Sequence, residues 1–161
     1  MNELVSSLIA CLKQETEHYR RLFVMAEEQK ELLIEGKMEV LPDNVRMEEK
    51  VVFALGPLIS ERNDLLAKMA KILGARPISL TEILKKAPLE FIEDLKKAVI
   101  ELVQSARQLE EVNRGNEKLL NNAISYVDFM LKIIANGGRK KVFSPSVTKE
   151  ETLSSFVDRV V

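Results

Sequence analysis

The chain has 161 residues, of which 46% are apolar and 30% are charged, and its formal net charge is −1. This length is sufficient for one domain with its own core, and the composition is that of a soluble globular protein, which argues against disorder and membrane insertion. Because acidic and basic residues are interspersed, no broad basic face is expected for nucleic acid, and the expected partner is another protein.

The single cysteine and the N-terminal residues indicate a cytoplasmic protein. Cys11 has no second cysteine with which to form a disulfide within the chain. No charged leader followed by an apolar core and a cleavage site opens the sequence, so no secretion signal is expected.

An all-α fold is predicted, because aromatic residues are scarce, Trp is absent, and Leu, Glu, Lys, Ala and Val dominate. The first helix is expected from about Asn2 to Glu35, with Gly36 ending it. Its residues at heptad spacing are Leu8, Leu12, Glu15, Tyr19, Leu22, Ala26, Gln29 and Leu33.

A second helix is expected to begin at Pro42 and Asp43 and to end at Gly74. Pro57 falls inside this pattern and should bend the helix near Phe53 without breaking it. The heptad positions are Val52, Leu55, Ile59, Arg62, Leu66, Met69 and Leu73.

A short helix and a much longer one complete the predicted elements. Ser79 and Glu82 have the spacing of a capping box, which predicts a helix of about two turns ending before Pro88. The long helix then extends to Gly137 and Gly138, and its apolar seam is about 60 Å long at about 1.5 Å per residue. The seam comprises Ile92, Leu95, Val99, Leu102, Ala106, Leu109, Asn113, Asn116, Leu120, Ala123, Val127, Met130 and Ile134.

Three long helices with short connections predict an elongated up, down, up arrangement in which polar residues interrupt the apolar seams. A hairpin turn near residue 40 places Arg62 roughly opposite Glu15, Glu17 or His18. The two seam interruptions, Glu15 and Arg62, then either pair and set the register or extend separately to solvent. Asn113 and Asn116 interrupt the long seam, so they either specify register or mark a locally exposed stretch.

The long helix becomes apolar over more than half of its circumference after Asn116. Either the first two helices sandwich this end, or it forms a groove for an amphipathic helix of another protein, to which the flexible Met130 can adapt. The residues involved are Leu119, Leu120, Ile124, Tyr126, Val127, Met130, Leu131, Ile133 and Ile134.

No enzyme, cofactor or metal site is predicted. Glu15 and His18 have the Glu-x-x-His spacing of di-iron bundles, but such a site needs a second copy of the motif, and His18 is the only histidine. Cys11 lies beside an apolar stripe with no activating base nearby, so an inert thiol is expected. No glycine-rich loop precedes a helix, as a phosphate site would require.

The order of these parts resembles the FlgN family, the flagellar export chaperones for hook-associated proteins. The resemblance covers essentially the whole chain. It includes the helix that contains residues 60–62 and ends at residues 72–74, and it includes the leucine-rich connector formed by residues 80–84. Its most specific part is Asn113, Asn116 and Leu120, followed by residues 125–129 and a polar tail containing Pro145.

The resemblance implies a chaperone that binds the C-terminal helices of hook–filament junction proteins and delivers them to the flagellar type III export gate. The glycine pair and the composition of the residues after it predict a helical domain, residues 1–138, followed by a flexible tail, residues 139–161. The family's substrate-binding region matches the widened apolar stripe, and Phe143 stands near a position where family members often carry Tyr. The alternative is a structural or regulatory coiled-coil protein that homodimerises through the same stripe.

Overall fold

Four α-helices and no strand make up the part of the chain that the computed structural model describes, residues 1–74 and 78–136. The tail predicted for residues 139–161 and the glycine pair expected to end the long helix lie outside the described residues. The predicted all-α fold class is confirmed. The helices are α1 (Asn2–Glu35), α2 (Leu41–Ile72), α3 (Leu80–Lys86) and α4 (Ile92–Ala135), the last preceded by a 3-10 turn, Leu89–Phe91.

Local sequence signals account for the helix ends. Gly36 adopts a left-handed conformation with φ of 70°, and the Lys37 N–H donates to the carbonyl oxygen of Leu32 at 2.9 Å, as in a Schellman ending. At the start of α3, Glu82 N–H donates to Ser79 Oγ at 3.3 Å, and Ser79 N–H donates to Glu82 Oε2 at 2.9 Å. The predicted capping box is therefore present.

Helix α2 passes through Pro57 without interruption. The proline ring meets the carbonyl group four residues earlier, at Phe53, and both residues lie on the exposed side of the helix. The lost backbone hydrogen bond therefore falls where water can replace it. The prediction that Pro57 does not break the helix is confirmed.

Helix α1 lies between α2 and α4, and the two outer helices have almost no contact with each other. Helices α1 and α2 are antiparallel, because Glu15 meets Arg62 near the middle of the hairpin and Gln29 meets Glu48 near its turn. Helices α1 and α4 are parallel, because Asn2 bonds to Glu90 and Asn116 bonds to Ala26. The predicted up, down, up order is present, but as an open layer centred on α1.

The core follows the two sides of α1. On α2, the buried apolar residues include Val51 and Leu65, whereas the predicted seam positions Val52 and Leu66 are only half-buried. Because α1 is the main helix against which α2 packs, the contact face of α2 is narrow and is rotated slightly from the predicted heptad. The buried apolar residues of the long helices are Val5, Leu8, Ile9, Cys11, Leu12, Tyr19, Leu22, Ala26, Val51, Leu55, Leu65, Met69, Ala70, Leu95, Ala98, Leu102 and Leu109.

Candidate protein-binding site at the projecting end of helix α4

Helix α4 extends well beyond the helix that covers it. Asn116 lies level with Ala26 and Gln29, so the last residue of α1, Glu35, lies level with about residue 122 of α4. Helix α4 continues to Ala135. At about 1.5 Å per residue, its last three to four turns project about 20 Å past α1.

Side-chain exposure changes where α1 ends. Leu95, Leu102 and Leu109 face α1 and are buried, whereas Val127 and Ile134, on the same side of α4, are 54% and 70% exposed. Helices α1 and α2 therefore do not sandwich this end of α4, contrary to one of the two predicted alternatives. The predicted binding residues Ile124, Tyr126, Val127, Met130, Leu131, Ile133 and Ile134 are exposed, and Leu119 is half-buried.

Two apolar surfaces run along this projecting end. The seam face consists of Leu120, Ala123, Val127, Met130 and Ile134, and it continues the side of α4 that packs on α1. The aromatic face consists of Tyr126, Phe129 and Ile133. At 100° per residue, the centres of the seam face and the aromatic face lie about a third of a turn apart around the helix.

The sequence-based site omitted Phe129, which is exposed on the aromatic face. Phe129 lies off the heptad seam, but its place in the apolar stretch after residue 124 and in the segment 125–129 of the family resemblance could have indicated it. Phe143, the remaining predicted binding residue, lies outside the described residues. The polar side of this end carries Ser125, Asp128 and Lys132, all of which are exposed.

A polar cluster joins all three long helices just below the projecting end. Gln29 Nε2 of α1 donates to Asn44 Oδ1 and to Glu48 Oε2 of α2, both at 3.4 Å. Gln29 Oε1 accepts from Asn116 Nδ2 of α4 at 3.1 Å. The same Asn116 amide donates to the carbonyl oxygen of Ala26 at 2.8 Å. Gln29 therefore connects the hairpin to the point where α4 leaves it.

The two seam asparagines differ in their surroundings. Asn116 is buried, and its Oδ1 atom has no hydrogen-bond partner within the described part of the chain, so its amide donor alone is used in pairing. Asn113 lies one turn earlier and is half-buried. Because a buried amide is costly unless it is paired, the Asn116 bonds to α1 favour this alignment of α4 over others. The register-setting role of both asparagines remains a proposal.

Glu48 is a buried carboxyl group within the polar cluster. Burial raises the pKa of Glu48 to about 7, and the hydrogen bond from Gln29 opposes that shift. Glu48 therefore changes protonation near neutral pH.

The predicted contact between Glu15 and Arg62 is present in the α1–α2 hairpin. Glu15 Oε2 lies 2.7 Å from Arg62 Nη1, and the Glu15 side chain is fully buried. Burial raises the pKa of Glu15, although the Arg62 charge opposes this. Burial and the nearby carboxylates raise the pKa of Cys11 to about 11, and its thiol lies 3.3 Å from the Leu58 carbonyl oxygen. Such a thiol stays protonated at neutral pH.

The described residues offer no metal cluster. Glu15 is paired with Arg62, and the Nδ1 atom of His18 donates to the Gln14 carbonyl oxygen at 2.8 Å. No group of three or more His, Cys, Asp or Glu side chains lies close enough to hold a metal ion in residues 1–74 and 78–136. None of the helices described there is long and apolar enough to cross a membrane.

Comparison with known proteins agrees with the features described above. The family model for FlgN protein matches residues 1–146, which include all four helices and the projecting end of α4. Neither the curated proteins nor the solved structures provide a match. With nearly the whole chain matched, and with an all-helical fold, the protein belongs to the FlgN family of flagellar chaperones.

Proposed function

We propose that this protein is a cytoplasmic chaperone that binds the C-terminal amphipathic helices of flagellar hook-associated proteins. In this proposal it keeps the junction proteins unpolymerised and delivers them to the flagellar type III export gate. Family membership supports the chaperone role. The observation that carries the proposed binding site is the exposed apolar end of α4, which no other described helix covers.

The seam face offers a definite binding mode for a cargo helix. Below residue 122, the same side of α4 is occupied by α1. An amphipathic helix placed against Val127, Met130 and Ile134 would continue the α1–α4 pairing beyond the hairpin turn. The open part of the seam face, from Ala123 to Ile134, gives room for about three turns of a cargo helix at about 5.4 Å per turn.

This binding mode provides a chemical reason for chaperoning. An amphipathic helix at the end of an unassembled junction protein exposes an apolar stripe, which favours aggregation or premature polymerisation. Burying the stripe against the seam face removes that surface from water. Export requires release, so a moderate affinity suits the function. Phe143, in the predicted tail, is proposed to add a contact with the cargo helix.

Calorimetric titration of a cargo-helix peptide tests the proposed site. Val127→Ser combined with Ile134→Ser removes apolar area from the seam face and should weaken binding at least tenfold, about 1.4 kcal/mol. Both side chains are exposed, so the free energy of unfolding should change by less than about 1 kcal/mol. Ser125→Ala, on the polar side, is the control and should bind normally. Unchanged affinity in the double variant would exclude the seam face.

A second candidate is a homodimer formed through the same end of α4. Val127, Met130 and Ile134 follow heptad spacing, which suits the pairing of two copies as a coiled coil. Light scattering over a range of protein concentrations distinguishes the candidates. A stable dimer that does not bind cargo would support the homodimer candidate. A monomer that binds cargo would support the chaperone proposal.

A further inference from the structure

The projecting end of α4 has more apolar surface than one docked helix covers. A helix packed on the seam face contacts a stripe about 100° wide. The aromatic face, centred about a third of a turn away, would remain in water, and Tyr126 on this face is 64% exposed. A second occupant is therefore required to bury Tyr126, Phe129 and Ile133.

The aromatic face is apolar only where α4 has left α1. Residues 18 apart in an α-helix lie five turns apart on the same side. Five turns before Tyr126 and Phe129, that side carries Gln108 and Glu111. Gln108 and Glu111 are exposed at the edge of the α1–α4 contact, beside Phe23, Glu27 and Lys30 of α1. The aromatic face therefore continues the polar margin of that contact and becomes apolar towards the projecting end.

We propose that the chain's own C-terminal segment, residues 153–160, packs on the aromatic face. Its apolar residues recur at the spacing of one helical stripe, and this spacing suits a short amphipathic helix. Packed in this way, the segment would support the projecting end from one side and leave the seam face accessible. The apolar residues of the segment are Leu153, Phe156, Val157 and Val160.

The length of the connecting chain supports this occupant. Tyr126 lies ten residues before Asn136, which is about 15 Å along the helix axis. The 16 residues between Asn136 and Leu153 can extend to about 50 Å, and their average end-to-end distance is about 20 Å when flexible. A linker whose reach matches the span gives an effective concentration near the millimolar range, far above that of a second copy at micromolar concentration.

Charge and distance disfavour the apolar groove between α1 and α2 as the position of this segment. Val24, Val40 and Met47 line that groove together with Arg21 and three carboxylates, Glu28, Glu31 and Asp43. The lining is therefore net acidic and would repel Glu150 and Glu151, which lie just before the segment. The groove also lies level with Asn116, about 30 Å from the end of α4.

Hydrogen–deuterium exchange of the full chain, without cargo, tests the proposal independently of the proposed chaperone function. Phe156→Ser combined with Val160→Ser should speed exchange of the amides of residues 124–135 at least tenfold, because the projecting end loses its support. Ser155→Ala, on the opposite side of the segment, is the matched control and should leave exchange unchanged. Amides of the buried core around Leu12 and Leu55 report whether each variant is folded.

Background variants locate the contact. In a Phe129→Ser background, the Phe156 and Val160 substitutions should have no further effect, whereas in an Ile134→Ser background their full effect should persist. Equal exchange in the wild type and the segment variant would overturn the proposal. So would a difference that disappears on dilution, which indicates a second copy, or one confined to residues 21–47, which indicates the α1–α2 groove.

Discussion

The two parts of α4 share one helix and one heptad pattern but have different surroundings. The seam leucines Leu95, Leu102 and Leu109 are buried against α1, whereas the seam residues from Val127 to Ile134 face solvent. The difference arises because α1 is 34 residues long and α4 is 44, while the two run parallel from nearly the same level. A heptad therefore specifies which side of a helix can be covered, and the lengths of the neighbouring helices determine how much of it is covered.

The sharpest contrast between the two parts is expected from matched truncations. Leu95→Ala removes a fully buried side chain and should lower the free energy of unfolding by about 2–5 kcal/mol. Ile134→Ala, on the same seam but exposed, should lower it by less than about 0.5 kcal/mol. Urea denaturation measures both values. Similar losses for the two variants would mean that the projecting end is covered in the unliganded protein.

The buried ion pair of the α1–α2 hairpin gives a second contrast with the projecting end of α4. Arg62→Ala leaves the buried Glu15 without its partner and should cost about 2–4 kcal/mol near neutral pH, reduced from the fully buried case because Arg62 is partly exposed. A double-mutant cycle with Glu15→Ala should give a coupling energy above about 1 kcal/mol. Strictly additive losses would show that the contact does not contribute to stability.

The protonation of Glu48 probes the polar cluster at the boundary between the two parts of α4. The pKa of Glu48 is raised from 4.5 to about 7 in the folded protein, so the folded protein binds this proton more tightly than the unfolded chain does. The stability from this group is present below about pH 4.5 and is lost as pH rises through 7. The loss should be about 1–3 kcal/mol between pH 5 and pH 8.

Glu48→Gln is the matched variant for this prediction, because an amide cannot ionise and still accepts the Gln29 hydrogen bond. Thermal or urea unfolding at pH 5 and pH 8 should show a weaker pH dependence in the variant than in the wild type. Identical pH profiles would mean that Glu48 is ionised throughout this range and that the cluster is hydrated.

Leu120 lies where coverage by α1 ends, and an effect between those of Leu95→Ala and Ile134→Ala is expected there. Because Leu120 is half-buried, Leu120→Ala should cost about 1 kcal/mol, well below the loss for a fully buried leucine. Denaturant unfolding with an unchanged m-value would support this intermediate position. A loss equal to that of Leu95→Ala would place the boundary further along α4.

Local rules were sufficient to predict much of this fold. The left-handed ending at Gly36, the capping box at Ser79 and the pairing of Glu15 with Arg62 each depend on spacing within one helix or one hairpin. The exposed apolar end of α4 was also indicated, because its stripe is wider than one neighbouring helix can cover.

Other features depend on parts of the chain that are distant in sequence. Gln29 reads as an ordinary heptad position, and its bonds to both α2 and α4 follow only from the three-dimensional alignment of the helices. Glu48 would be expected at the surface as a charged residue, yet packing buries it. The open layer could not be predicted either, since apolar periodicity on α2 and α4 does not reveal that both face α1.

The most direct test of the cargo site is a hydrogen-exchange footprint of a cargo-helix peptide on the full chain. A peptide corresponding to the C-terminal helix of a hook-associated protein should slow exchange at least tenfold in residues 119–135 of α4. Exchange in the middle of α2, around Leu55, should stay unchanged. Protection confined to the α1–α2 groove, or absent from the projecting end at saturating peptide, would show that cargo does not bind at the projecting end.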